Sequence, residues 1–122
     1  MLKSIKKEIK MRNSYLNDDK VSSIYFGGGT PSVLNKEEIT SLINTIYDNF
    51  KIDTDAEITL ECNPDDLDKK KLIELKEVGI SRLSIGIQSF DDKYLKLMNR
   101  SHNAKEAFSC IQTAKEVGFE NI

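Results

Sequence analysis

The chain has 122 residues, enough for one domain or part of one but too few for a complete eight-stranded βα barrel of about 250 residues. Its 18 basic and 20 acidic residues are interspersed and give a net charge of −2, which argues against electrostatic binding of nucleic acid. There is no signal-peptide pattern and no run of about 18 apolar residues, so we expect a soluble, cytoplasmic chain without a membrane span.

The first predicted elements are a helix and a strand. Apolar residues at intervals of three and four from Leu2 to Ile9 predict an amphipathic helix that ends near Tyr15. A turn is predicted at residues 17–20. The apolar run at Val21–Phe26 then predicts a buried strand of the kind found in parallel sheets.

Three consecutive glycines, Gly27–Gly29, follow this strand and precede Thr30 and Pro31. Without side chains, such a loop lets a ligand lie against the main chain and accept hydrogen bonds from its N–H groups. Thr30 adds a hydroxyl group, and Pro31 directs the chain out of the turn. Taken alone, the loop is equally compatible with a tight βα turn that binds nothing.

A helix and a second strand come next. Asn35 and Glu38 form a capping box, and an apolar face continues from there through Tyr47 to Phe50. The alternation in Glu57–Glu61 predicts a strand. A loop is expected to follow this strand, because Pro64 cannot continue a hydrogen-bonded ladder.

The remaining elements repeat this order. A helix is predicted from the cap Asp68 to Gly79, and a third strand is predicted at Arg82–Ile87. A short helix around Leu95 leads to a last helix, which a second capping box opens. Asn103 and Glu106 form that box. The expected buried face of the helix consists of Ala107, Phe108, Ile111 and Ala114.

One internal repeat shows how these elements are organised. Lys76–Ile80 (KEVGI) recurs as Lys115–Phe119 (KEVGF), so helix, glycine stop and new strand occur twice. A fourth strand is expected near Phe119, close to the end at Ile122. We therefore predict an α/β domain over residues 1–122, with parallel βα repeats forming part of an incomplete barrel, and we expect the chain to be a fragment of a longer protein.

Polar residues follow each predicted strand at its carboxyl end, where parallel barrels place their sites. They lie at 27–30, at 61–63, at 88–89 and, further on, at Arg100 and His102. A carboxylate, an amide and a guanidinium beside bare backbone suit a polar ligand with hydroxyl, amino and carboxylate groups. For His102 we expect a local hydrogen bond at a helix start. The spacing supports no Ser-His-Asp or Cys-His arrangement.

Two cysteines, Cys62 and Cys110, match no metal-ligand spacing and give no disulfide framework, so both are expected to be reduced, buried thiols. The run Lys69–Lys71 is interpreted as the solvated face of a helix.

Four blocks occur in a collinear order: Tyr25–Ser32, Leu60–Pro64, Arg82–Phe90 and Asn99–His102. They resemble the radical S-adenosylmethionine family of oxygen-independent coproporphyrinogen III oxidases and their haem-chaperone relatives. The resemblance implies a partial (β/α) barrel, and porphyrin or haem as the partner of the whole protein. It also implies S-adenosylmethionine contacts at Gly28, Gly29, Thr30, Glu61, Gln88 and Arg100.

The chain departs from the family in one important respect. It lacks the C-x-x-x-C-x-x-C loop that binds the [4Fe–4S] cluster and would precede Met1, so we expect no catalysis from this chain alone and assign no catalytic or metal-binding residue. Phe26, the stretch 88–90 and His102 resemble the haem chaperones more than the oxidases. The alternative is a non-catalytic binding or assembly module that forms homodimers through open sheet edges.

Overall fold

A computed structural model describes residues 1–16 and 19–122; Asn17 and Asp18, in the turn predicted at 17–20, lie outside the described residues. The structure contains three strands with helices between and around them. In chain order the elements are α1 (Leu2–Met11), β1 (Val21–Phe26), α2 (Lys36–Tyr47), β2 (Ile52–Cys62), α3 (Lys69–Glu77), β3 (Arg82–Ile85), α4 (Asp92–Leu97) and α5 (Ala104–Glu116). No helix in the described part of the chain is long and apolar enough to cross a membrane.

The sheet is parallel and open, with the strand order β1-β2-β3. Neighbouring parallel strands need a crossover between them, and α2 and α3 provide the two crossovers. Beyond β3, Asn121 pairs in parallel with Arg82, and its main-chain oxygen accepts from Leu83 N–H at 3.1 Å. The α/β prediction is confirmed, and the sheet is one part of a barrel.

The two faces of the sheet differ in chemistry. Residues that pair directly across parallel strands share a face, and side chains alternate along each strand. One face carries Ile58, Leu60 and Leu83, which form the buried core with residues of α2, α3 and α5. The opposite face, which would point to the interior of a closed barrel, carries Ser23, Tyr25, Glu57, Thr59, Glu61, Arg82 and Ser84.

Local sequence signals for helix ends are confirmed. Both capping boxes form, at Asn35 and at Asn103, and the Asp68 side chain caps α3. Gly79 and Gly118 follow their helices at φ +95° and +97°, the left-handed conformation expected after a helix C-cap.

Several predicted boundaries are wrong. Helix α1 ends at Met11, before Asn13 and Ser14, which are weak helix formers. Strand β2 begins at Ile52, because its first residues pair with Val21 beyond an irregularity in the register. Strand β3 ends at Ile85.

Two side chains predicted on buried helix faces are exposed. Tyr47 is 50% exposed and Phe108 is 60% exposed. Phe108 instead packs against the ring of Phe90, with the ring centroids 4.4 Å apart. Both lie at the margins of their apolar stripes, where periodicity alone does not decide burial.

Candidate functional site

A cavity of about 290 Å³ opens at the carboxyl ends of the three strands. Its walls come from the loops that follow β1, β2 and β3, as expected for a parallel barrel. Four of the six residues predicted to bind a ligand line it: Gly29, Thr30, Glu61 and Gln88. The sheet therefore brings together positions that are far apart in the sequence.

The carboxylate of Glu61 is held by two donors. The Tyr25 hydroxyl donates to Oε1 at 2.7 Å, and the Gly28 N–H donates to Oε2 at 3.1 Å. These bonds favour the ionised form, so the pKa of Glu61 is lowered, chiefly by Tyr25 and then by Gly28. The same bond raises the pKa of Tyr25. Glu61 is consequently an oriented anion at the edge of the cavity.

The glycines of the loop serve different purposes. A Cβ on Gly27 would lie 2.7 Å from Cε1 of Tyr25 and 3.2 Å from Cδ of Glu61, so the pair leaves no room for a side chain there. Gly28 has open space around it but adopts φ +80°, which side chains rarely tolerate. Gly27 therefore makes room for the Tyr25–Glu61 pair, and Gly28 directs its N–H to the carboxylate.

Gln88 forms the opposite wall of the cavity in a constrained backbone conformation. Its φ is +71°, which is uncommon for a residue other than glycine. Its side-chain amide lies over Gly86, where a Cβ would come within 3.3 Å of Nε2. This turn in the backbone ends β3 earlier than the apolar pattern predicts.

Arg100 lies behind the cavity wall and does not line the cavity. Its Nη2 donates to the main-chain oxygen of Gly86 at 2.8 Å and approaches Oδ1 of Asn63 at 3.4 Å. Its Nε is buried without a hydrogen-bond partner among the described residues. In this structure the guanidinium holds two loops together, and one buried donor remains unused.

Sequence reasoning missed a second connection between loops. The Ser32 hydroxyl, 2% exposed, donates to Oδ2 of Asp66 at 2.6 Å and accepts from the Asn63 N–H at 3.2 Å. No periodic signal marks these residues, because all three lie in or beside short 3₁₀ turns. Tyr25 could have been found, since strand alternation places it and Glu61 on one face.

The prediction for His102 was wrong. Its ring is 3% exposed, and Nε2 lies 3.0 Å from the main-chain oxygen of Ile87. The contact therefore reaches the segment after β3 instead of the start of the local helix. Neighbouring Ser101 donates to Asp65, in the loop after β2.

The described residues do not fit an iron–sulfur cluster. Within residues 1–16 and 19–122, no group of three His, Cys, Asp or Glu side chains is arranged to hold a metal ion. Cys62 and Cys110 are buried, free thiols. Burial raises the pKa of Cys62 to about 12 and also raises that of Cys110, so both are protonated thiols.

Residues 3–122 match the family model of the Radical SAM superfamily. The chain belongs to this superfamily. Heme chaperone HemW from Bacillus subtilis is 43% identical over 103 residues, which are 84% of this chain and 27% of that protein. Oxygen-independent coproporphyrinogen III oxidase from Salmonella typhimurium is 36% identical over 118 residues, 97% of this chain and 26% of that protein.

A solved radical SAM enzyme has the same fold. The coproporphyrinogen III oxidase HemN from Escherichia coli superposes with a TM-score of 0.86 and 34% identity, over 98% of this chain and 27% of that one. The chain spans about a quarter of the length of the relatives it matches. Radical SAM proteins use S-adenosylmethionine and, in their full-length forms, a [4Fe–4S] cluster.

Proposed function

We propose that this chain forms the S-adenosylmethionine-binding side of a radical SAM barrel, in a protein of porphyrin or haem metabolism. The observation that carries the proposal is the ionised Glu61, held by Gly28 at the edge of a cavity that Gln88 closes on the other side. When bound in a complete radical SAM protein, S-adenosylmethionine supplies the adenosyl group from which the reactive radical is formed. We assign no catalytic step to this chain.

The donors and acceptors around the cavity match the groups of this cofactor. A carboxylate such as Glu61 accepts from ribose hydroxyls, and the amide of Gln88 both donates and accepts. The main-chain N–H of Gly29 and the hydroxyl of Thr30 suit the amino-acid part, while the N–H of Gly28 holds Glu61 in place. Arg100 supports the Gly86 wall from behind, and its positive charge favours a carboxylate in the cavity.

Calorimetric titration of S-adenosylmethionine into the chain tests the proposal. We expect weak binding by the wild type and a loss of about tenfold or more in Glu61→Gln, because a charged hydrogen-bond acceptor is removed. Glu57→Gln is a matched control, since Glu57 lies on the same strand and face but away from the cavity. Absence of heat at millimolar cofactor, or equal affinity in both variants, contradicts the proposal.

A second function is favoured by the open sheet edge. Within residues 1–16 and 19–122, β1 is an edge strand, and a groove of about 570 Å³ lined mainly by apolar side chains lies between α1, β1 and α2. An exposed edge beside an apolar groove suits strand pairing with a second copy of the chain. Concentration-dependent dimerisation in sedimentation experiments, combined with no cofactor binding, would support this assembly function instead.

Between the two branches we propose that the parent protein is a haem chaperone. The support is the 43% identity to the Bacillus subtilis chaperone, together with Phe26 and His102, which resemble that branch. Two chimeras provide the test, with the chain replacing the matching quarter of that chaperone and of the Salmonella oxidase. We expect haem binding to survive in the first and oxidase activity to be lost in the second; the opposite pattern would assign the chain to the oxidases.

A further inference from the structure

His102 connects the end of the α4–α5 loop to the segment that carries Gln88. Its Nε2 lies 3.0 Å from the oxygen of Ile87, the residue immediately before Gln88. Because a carbonyl oxygen only accepts, Nε2 carries the proton and donates. The ring is 3% exposed, so this hydrogen bond is shielded from water.

The segment needs such support because it has left the sheet. Pairing with β2 ends at Ile85, followed by one main-chain bond from Gly86 N–H to the oxygen of Cys62 at 2.9 Å. Beyond that point, side chains bind the oxygens of Gly86 and Ile87: Arg100 the first and His102 the second. The backbone then enters the left-handed conformation of Gln88, which is maintained only when the surroundings fix it.

The other ring nitrogen makes no comparable contact. Nδ1 of His102 lies 3.7 Å from Oδ1 of Asp65, longer than a hydrogen bond, and has no hydrogen-bond partner among the described residues. The bond from Nε2 to Ile87 is therefore the one that links His102 to the cavity wall.

We propose that His102 is a positioning residue of the cofactor site: by binding the carbonyl of Ile87, it fixes Gln88 against the cavity. This inference rests on the proposed function of the site. In this role His102 binds the wall of the cavity and makes no direct contact with the cofactor.

Two amide variants separate positioning from general packing. In His102→Gln the side-chain nitrogen occupies about the place of Nε2, whereas in His102→Asn it occupies about the place of Nδ1. We expect His102→Gln to bind S-adenosylmethionine within about twofold of wild type and His102→Asn to bind about tenfold more weakly, because a buried carbonyl loses its donor. Equal affinity in the wild type and His102→Asn, or equal weakness in the two variants, would overturn the inference.

A second readout does not depend on cofactor binding. The left-handed φ of Gln88, read from its HN–Hα coupling, should change in His102→Asn and stay near the wild-type value in His102→Gln. In the wild type, the Nε2-bound proton should exchange slowly with water and show hydrogen-bond coupling to Ile87. If the wild type binds no cofactor, the proposed function fails, but these NMR signals still decide whether His102 fixes Gln88. An unchanged Gln88 signal in His102→Asn would contradict the positioning role.

Discussion

The carboxylate of Glu61 has both oxygens bound by groups of its own chain, one by Tyr25 and one by Gly28. This matters for binding, because a ligand hydroxyl then meets an anion already oriented, at little further cost in side-chain freedom. Tyr25 and Glu61 lie on the polar face of the sheet as diagonal neighbours. Tyr25 pairs with Thr59, and Glu61 is two residues further along the same strand. The hydroxyl of Tyr25 thus helps to orient the carboxylate of the site.

Tyr25→Phe tests this orientation. Loss of the donor should raise the pKa of Glu61 toward its ordinary value of 4.5, because the ionised form loses its main support. Since the native pKa is lowered, the wild type's stability advantage over Tyr25→Phe is full above pH 4.5 and fades as the pH falls through the native value. At the alkaline end, the tyrosine pKa is raised above 10, so the advantage is lost as the pH rises through that value.

The measurement is a carbon NMR titration of the Glu61 carboxyl in both proteins, with urea unfolding near neutral pH and in acid. A Glu61 pKa that stays the same in Tyr25→Phe would show that the hydroxyl does not orient the carboxylate. Tyr47→Phe is a suitable control, because Tyr47 is also half-exposed but lies on α2.

At the scale of elements, the sequence predicts what local chemistry decides. The capping boxes at Asn35 and Asn103 and the glycine stops at Gly79 and Gly118 are correct, because each is set by residues within one turn of the helix end. The four sequence blocks that resemble the family also predicted residues of the cavity. Gly29, Thr30, Glu61 and Gln88 all line it, since the ends of parallel strands share one edge.

What the sequence did not predict depends on contacts between distant residues. Strand β2 extends back to Ile52 because it pairs with β1. After β3, the oxygens of Gly86 and Ile87 are bound by side chains from a distant loop, those of Arg100 and His102. Ser32 and Asp66 lie 34 positions apart, and no periodicity connects them. These contacts tie the loops of the site together, so they follow from the fold and not from any local pattern.

At the scale of the whole molecule, the two ends of the sheet have different roles. The cavity lies at the carboxyl ends of the strands, while Glu57 binds the chain's last segment closer to their amino ends. Its Oε2 accepts from Nδ2 of Asn121 at 2.8 Å, and its Oε1 lies 3.3 Å from Nη1 of Arg82. Glu57 therefore joins β2, β3 and the segment at Asn121, on the same face as Glu61.

Glu57→Ala should consequently affect stability and leave the site intact. The ion pair with Arg82 is about 40% exposed on both sides, 40% for Glu57 and 42% for Arg82, so it contributes at most about 1 kcal/mol. With the bond to Asn121 also lost, we expect the free energy of unfolding to fall by about 1–2 kcal/mol.

Amide exchange at Leu83, which donates to Asn121, should become faster while that at Gly28 stays the same. Denaturant unfolding and hydrogen exchange measure both effects, with Glu61→Ala as the counterpart that should change Gly28 and spare Leu83. If Glu57→Ala instead exposes Gly28 or weakens cofactor binding as much as Glu61→Ala does, the two ends of the sheet are coupled and the division of tasks is wrong.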